Sequence, residues 1–155
     1  MKKVIAFIIC FSLIIACLTA VADEYKVFIL CNPESHVNVR EKPKNGSAKT
    51  GWIMFGDSVL TDGKTKNGYL HVLCITESGE GWIKAGYAIQ DQPVKVSARA
   101  AVCASGRVMS YRNAGKNKFG WVPLLAEMAV YALSDEWAVT SRGYIRRKYL
   151  EVWDE

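Results

Sequence analysis

The chain has 155 residues, of which 50% are hydrophobic, and it carries a formal net charge of +5. The absence of a Lys/Arg run argues against a nucleic-acid partner. The charge is a mild surplus, which suits an anionic envelope surface without requiring one.

The first residues have the layout of a secretory signal peptide. Lys2 and Lys3 precede an apolar run at residues 4–16, and a small-x-small cleavage site follows at residues 20–22. The run is shorter than the roughly 20 residues that span a bilayer, so we expect no membrane span. We therefore expect a signal peptide at residues 1–22 and a mature chain that is secreted or resides in the cell envelope.

The cysteines leave two questions open. Cys17 follows Ile-Ile-Ala, a loose lipobox, so a lipoprotein anchored through Cys17 is a minor alternative to cleavage after residue 22. The mature chain keeps Cys31, Cys74 and Cys103. In an oxidising compartment Cys31 and Cys74 are the preferred disulfide pair, and the alternative is three thiols packed as small hydrophobic groups.

The mature chain predicts strands throughout. Segments rich in β-branched and aromatic residues alternate with polar turns containing Gly, Pro and Asn. In the first half these segments are residues 25–31, 37–40, 51–55, 58–61, 69–75 and 81–83. Residues 123–133 have a helix-compatible composition, but their place in a repeat favours a strand. Short, closely spaced strands predict an all-β protein made of small barrels or sandwiches.

An ordered set of motifs occurs twice. The order is Gly-Trp-apolar, then a strand after an acidic residue, then Gly-aromatic-Ile-basic, then Tyr. The pairs are Trp52 with Trp121, Trp82 with Tyr144, Tyr87 with Tyr149 and Arg40 with Arg99, and the last pair places about ten extra residues in the second copy. We therefore predict domains at residues 23–90 and 91–155 that pack against each other. Because they occupy repeated strand positions, Trp52, Trp82, Trp121 and Tyr144 are expected in the core.

The first copy resembles the bacterial SH3 (SH3b) domain family. The residues that carry the resemblance are "VNVR" at 37–40, Gly51, Gly56-Asp57, Val59, residues 69–72, "GWI" at 81–83 and Tyr87. The second copy is a diverged match. The resemblance implies two small SH3-like barrels in tandem and a role in holding envelope polymers or peptides.

A non-catalytic binding module is the function that this resemblance implies. Its partner would be peptidoglycan or an envelope peptide, and binding needs a groove with aromatic walls and a few polar groups. The candidate ligand-binding residues are Asn38, Arg40, Asp57, Tyr69 and Tyr87. The alternative reading of Arg40 and Asp57 is ordinary surface charge.

The sequence also bears on two other classes of function. A protein–protein adaptor or inhibitor would use a loop at residues 101–118, which is rich in Arg, Tyr and Lys. An enzyme is not expected, because His36 and His71 have no Cys placed to form a nucleophilic pair. The scattered His and Cys residues predict no metal site, and no cofactor is expected.

Overall fold

The computed structural model describes residues 24–73 and 79–154. The described strands of the first repeat are β1 (Tyr25–Ile29), β2 (His36–Arg40), β3 (Lys49–Met54), β4 (Ser58–Thr61), β5 (Thr65–Lys66), β6 (Tyr69–Leu73), β7 (Glu80–Lys84) and β8 (Ala88–Ile89). Those of the second repeat are β9 (Val94–Val102), β10 (Val108–Asn113), β11 (Lys116–Val122), β12 (Glu127–Leu133), β13 (Trp137–Thr140), β14 (Gly143–Arg146) and β15 (Leu150–Asp154). Short 3-10 helices, Ala85–Tyr87 and Arg147–Tyr149, precede β8 and β15.

Each repeat forms one antiparallel sheet, which confirms the all-β prediction. The strand order is β3-β2-β7-β6-β4-β1-β8 in the first sheet, with β5 beside β6, and β11-β10-β14-β13-β12-β9-β15 in the second. In the described residues both sheets are open paths, because no ladder joins β3 to β8 or β11 to β15. The expected closure into barrels is therefore not observed. The ambiguous segment at 123–133 supplies β12, as its place in the repeat predicted.

The two strand orders correspond element by element, and they correct one part of the predicted repeat. β9 pairs with β12 and β15, as β1 pairs with β4 and β8. β10 pairs with β11 and β14, as β2 pairs with β3 and β7. The counterpart of Arg40 is therefore Tyr111 and not Arg99, which lies in β9. An alternating strand that contains one Arg was too weak a signal to distinguish β9 from β10.

This correction also removes the supposed insertion and loop in the second copy. Residues 101–118 comprise the end of β9, a turn, all of β10, a second turn and the start of β11. The segment is mainly a β-hairpin within the sheet. The predicted protein-binding loop at 101–118 is therefore wrong as a description of structure.

In β2 the strand alternation places the core residues as the sequence predicts. Val37 and Val39 are buried on the inner face of β2, whereas Asn38 and Arg40 lie on its other face. In the first sheet these valines pack with residues such as Ile83 in one apolar cluster. A separate cluster of small and branched residues fills the second sheet.

A third apolar cluster joins the two repeats, as the expected packing between copies requires. Leu30 and Ile89 of the first repeat pack with Ala132, Trp137, Val139 and Tyr144 of the second. Gly86 lies at this junction, where its carbonyl accepts a hydrogen bond of 2.9 Å from the backbone N–H of Ala114. A Cβ atom on Gly86 would lie 2.8 Å from Cγ of the buried Asn113, so only glycine permits this approach.

The predicted aromatic core is only partly correct. Tyr144 is buried, but in the junction between repeats, and Trp82 is half-buried on the outer face of β7. Trp52 and Trp121 are 64% and 56% exposed. They lie on β3 and β11, strands at one end of each sheet, where no further strand covers their rings. Trp52 and Trp121 therefore do have equivalent surroundings, as their repeated position predicts, but both are exposed and not buried.

Candidate functional site

The first repeat carries an open groove on the outer face of β2, β3 and β7. It consists of two adjoining pockets of about 130 Å³ and 480 Å³ that share His36 and Asn38. We call this the first groove, and its main lining residues are His36, Asn38, Arg40, Lys49, Trp52, Tyr69, Lys84 and Tyr87. Val37 also borders the smaller pocket, and Thr50 and Gly51 border the larger.

Strand register explains why these side chains converge. Asn38 lies directly across the ladder from Trp52, and Tyr69 lies across from Lys84. Side chains opposite each other on one face of an antiparallel pair have Cβ atoms about 5 Å apart. The groove is therefore assembled from cross-strand neighbours.

A β-bulge directs Arg40 into the first groove. The register of β2 against β3 shifts between Val39 and Arg40. Such a bulge bends the strand and re-aims the side chains beside it, and bulges often occur next to functional sites. The guanidinium Nη1 of Arg40 donates a hydrogen bond of 2.7 Å to the carbonyl of Ser47, which holds it against the β2–β3 loop.

Four of the five predicted ligand-binding residues lie together. Asn38, Arg40, Tyr69 and Tyr87 all line the smaller pocket of the first groove. Asp57 does not line either pocket, because it belongs to the turn between β3 and β4. There its carboxylate accepts a hydrogen bond of 3.1 Å from the backbone N–H of Met54, which accounts for an acidic residue at this turn.

The two tyrosines differ in how much ring they present. Tyr69 is only 4% exposed, and its hydroxyl donates a hydrogen bond of 2.7 Å to Oδ1 of Asn45. Tyr87 is half-buried, and its ring packs edge-on against Tyr144 of the second repeat at 6.5 Å between centroids. Burial raises the pKa of Tyr87 above its usual value, with a smaller contribution from Cys31. Tyr69 thus forms the floor of the groove, and Tyr87 connects it to the second repeat.

Sequence reasoning missed Trp52, Lys49, Lys84 and His36 as groove residues. His36 and Asn38 are two apart on one strand, so they share a face, and this spacing could have identified His36. The ring of His36 lies 6.2 Å from that of Trp52. No local pattern could have revealed Lys84, because its strand reaches the groove only through sheet pairing with β6 and β2.

The charged lining of the first groove is entirely basic. Arg40, Lys49 and Lys84 line it, and no Asp or Glu does so among the residues that the structure describes. Guanidinium and ammonium groups bind carboxylates through charge-assisted hydrogen bonds. The exposed indole of Trp52 adds a flat apolar surface at the mouth. The arrangement can therefore hold an anionic ligand that also presents a flat apolar face.

A polar cluster lies further along the same sheet, around His71. Nδ1 of His71 is 3.1 Å from Oδ2 of Asp62, its Nε2 is 3.7 Å from Glu80, and its ring packs on Trp82 at 4.8 Å. Lys64 also contacts Asp62 at 2.6 Å. This hydrogen bond is the main reason that the pKa of Asp62 falls well below its usual range, and the Lys64 backbone N–H and His71 lower it further.

Replacement of Asp62 with Asn should weaken the acid sensitivity of the fold. Because the native pKa of Asp62 is depressed, its contribution is present above the unfolded pKa of about 4 and is lost as pH falls below it. We therefore expect the stability advantage of the wild-type chain over Asp62→Asn to shrink between pH 6 and pH 2. Urea midpoints by far-UV circular dichroism measure this difference. Asp154→Asn, at an exposed position, is the control, and an equal change there would refute the assignment to Asp62.

Of the three cysteines of the predicted mature chain, the structure describes Cys31 and Cys103. Cys31 is buried, and its thiol donates a hydrogen bond of 3.6 Å to the carbonyl of Ser35. Burial, with a smaller contribution from the charge of Asp57, raises the pKa of the Cys31 thiol to about 11. Cys74 lies outside the described residues, so the Cys31–Cys74 disulfide stays a prediction. Cys103 is exposed beside Glu151.

The part of the chain that the structure describes has neither a metal-binding cluster nor a membrane-spanning helix. In residues 24–73 and 79–154, no group of three or more His, Cys, Asp and Glu side chains is placed to hold a metal ion. Over the same residues, no helix is long and apolar enough to cross a bilayer.

Comparisons with known proteins identify distant structural neighbours. No protein-family model and no curated protein matches the chain. Solved structures that match include NlpC2 from Trichomonas vaginalis (15% identity, TM-score 0.37, 85% of this chain and 49% of that one). NlpC1 from the same organism matches at 16% identity and TM-score 0.37, over 86% of this chain and 47% of that one. The chain thus spans about half the length of these neighbours, and its resemblance to the bacterial SH3 family stays a prediction.

Proposed function

We propose that the protein is an exported, non-catalytic binding protein whose first groove takes a carboxylate-bearing peptide of the bacterial cell wall or envelope. The observation that carries this proposal is the exposed Trp52 in a groove whose charged lining residues are all basic. The indole of Trp52 is 64% exposed and lines a pocket together with Asn38 and Lys49, so it presents an apolar surface to a ligand there. Lys49 lies on the same strand, and Arg40 and Lys84 line the adjoining pocket.

Peptidoglycan stem peptides have the chemistry that such a groove favours. They carry carboxylates, and they are attached to sugars whose rings can lie flat on an indole. Arg40 and the two lysines would hold the carboxylates, and Asn38 would hydrogen-bond the peptide. Export of the chain, which the signal peptide predicts, would place it in the compartment where this polymer is found.

Co-sedimentation with purified peptidoglycan sacculi tests the proposal. Residues 23–155, which contain every described strand, should pellet saturably at low and at moderate salt. Trp52→Ala should weaken binding about tenfold, as expected for an aromatic anchor at a binding site. Asn38→Ala and Tyr69→Phe should weaken it less, and the Phe variant leaves the buried ring in place.

Trp153→Ala is the matched control, because Trp153 is 39% exposed on β15 and lines neither pocket of the first groove. It should bind like the wild-type chain. Pelleting that disappears at moderate salt, or that is unaffected by Trp52→Ala, would reject the first groove as a wall-binding site.

A protein partner is the second candidate, and exposed apolar groups on the second repeat favour it. Phe119, Leu124 and Leu125 are 58%, 48% and 69% exposed on β11 and the turn after it. Together they border the hairpin that the sequence singled out at 101–118. If a protein partner binds there, the first-groove variants Trp52→Ala, Asn38→Ala and Tyr69→Phe should not affect its binding. Measuring partner binding by these variants tests this candidate.

A further inference from the structure

The second repeat has a groove at the position equivalent to the first groove. Asn38 lies opposite Trp52 in the first sheet, and Met109 lies opposite Trp121 in the second. Arg40 pairs with Trp82, and Tyr111 pairs with Tyr144. The register also shifts at matching positions, between Val39 and Arg40 and between Ser110 and Tyr111. Both repeats therefore build the same concave surface by the same bulge.

This second groove has a volume of about 460 Å³, and the residues that define it are Arg107, Met109, Tyr111, Trp121, Arg146 and Tyr149. Each occupies the position of a first-groove residue, in the order His36, Asn38, Arg40, Trp52, Lys84 and Tyr87. Six equivalent positions thus line a groove in both repeats, although the side chains differ at four of them. An exposed Trp thus lies at the same position of both sheets, and each lines a pocket that also contains basic side chains.

The chemistry of the second groove is again aromatic and basic. The guanidinium of Arg107 lies over the ring of Trp121, with its carbon 4.6 Å from the ring centroid. Arg146 lies 4.5 Å over the buried ring of Trp137. Stacking on a ring holds each guanidinium in place and leaves its edge N–H groups available for a planar acceptor. No acidic side chain lines this pocket among the described residues.

One existing ion pair involves the second groove. Arg146 contacts Glu136 at 2.7 Å, with both side chains largely exposed. An exposed pair of this kind contributes at most about 1 kcal/mol. A ligand carboxylate can therefore take the place of Glu136. Two stacked arginines, in place of His36 and Lys84, favour bidentate contact with a carboxylate more strongly than the first groove does.

We propose that the second groove is a second binding site for a carboxylate-bearing cell-wall peptide, filled independently of the first. This inference rests on the proposed function and extends it to a second site with Trp121 and Arg107 as its anchors. Tyr111 and Met109 replace Arg40 and Asn38, so the second site accepts a less polar peptide segment beside the carboxylate.

The junction between repeats makes two sites more effective than one. Tyr87 lines the first groove and packs against Tyr144, which the junction buries. The hydroxyl of Tyr144 donates a hydrogen bond of 3.4 Å to the carbonyl of Leu30, and the N–H of Asp135 donates one of 2.6 Å to Asp91. These contacts hold the two grooves at a fixed separation. A polymer that fills both gains avidity, because its second contact is intramolecular.

A soluble disaccharide–tetrapeptide fragment of peptidoglycan and intact sacculi together test this inference. Calorimetric titration of residues 23–155 with the fragment should give two sites per chain. Trp52→Ala and Trp121→Ala should each leave one site, and the double variant none. On sacculi each single variant should bind about tenfold more weakly, and the double variant at least a hundredfold more weakly. Arg107→Ala should reproduce Trp121→Ala, and Trp153→Ala should retain both sites.

The outcomes separate the two proposals. One site that Trp52→Ala abolishes and Trp121→Ala leaves unchanged would overturn the second site while the proposed function stands. One site lost only in Trp121→Ala would support the second groove and reject the first. Absence of fragment and sacculus binding by the wild-type chain would overturn both. The exposed second hairpin would then be the surface to examine for a protein partner.

Discussion

Gly143→Ala should lower the free energy of unfolding by about 3 kcal/mol or more. Gly143 begins β14 with a φ of +94°, a conformation that strains any residue with a Cβ atom by about 1–3 kcal/mol. A Cβ atom there would also lie 2.6 Å from the carbonyl oxygen of Tyr111, which is backbone and cannot rotate away. Forcing atoms into a packed site adds about 1–3 kcal/mol.

Urea unfolding followed by far-UV circular dichroism measures this effect. Gly120→Ala is the matched control, because a Cβ atom at Gly120 meets nothing within 4 Å. It should leave stability within about 0.5 kcal/mol of the wild-type value. Equal midpoints for the two variants would contradict the geometry of the β10–β14 contact. Because Tyr111 lines the second groove, Gly143→Ala should also weaken binding at that groove before the chain unfolds.

Trp137→Ala should lower the free energy of unfolding by about 3–5 kcal/mol. Trp137 is 5% exposed and packs in the cluster between repeats. It meets Tyr111 edge-on at 5.7 Å, and the Arg146 guanidinium lies 4.5 Å over its ring. Its removal leaves a cavity at the junction and releases a guanidinium of the second groove.

Trp52→Ala and Trp121→Ala are the comparisons for this change, since they remove the same side chain from exposed positions. Each should alter the unfolding free energy by about 0.5 kcal/mol or less, while reducing ligand binding. A similar loss of stability in all three variants would mean that Trp52 and Trp121 are structural, and it would remove the main support for both grooves.

The two repeats contribute non-equivalent surfaces to the junction between them. The second sheet contributes a sheet face, with Val139 and Tyr144, whereas the first contributes the end at Leu30 and Ile89. The contact is therefore head to tail. Tyr87 of the first groove and Tyr111 of the second both pack against the junction cluster, so both grooves adjoin the junction, whereas Trp52 and Trp121 stay exposed.

Several features could be predicted from the sequence because they depend on local pattern. The alternation in β2 correctly placed Val37 and Val39 inside and Asn38 and Arg40 outside. The Gly-aromatic-Ile motif revealed the repeat, and the structure gives its reason, since Gly81 abuts Val39 and Gly143 abuts Tyr111. The groove could be predicted in part, because Asn38 and Arg40 share one strand face, and the resemblance supplied Tyr69 and Tyr87.

The sequence by itself determined the strand content, the repeated order of motifs and the inner face of β2, since these follow from side-chain period and turn chemistry. Only the tertiary structure decided which outer faces are covered. Trp137 and Tyr144 are buried because a second sheet packs on the first, whereas Trp52 and Trp121 are exposed because β3 and β11 end their sheets. Local alternation distinguishes the two faces of a strand but does not show whether another sheet packs on the outer face. The grooves form on outer faces that no other sheet covers.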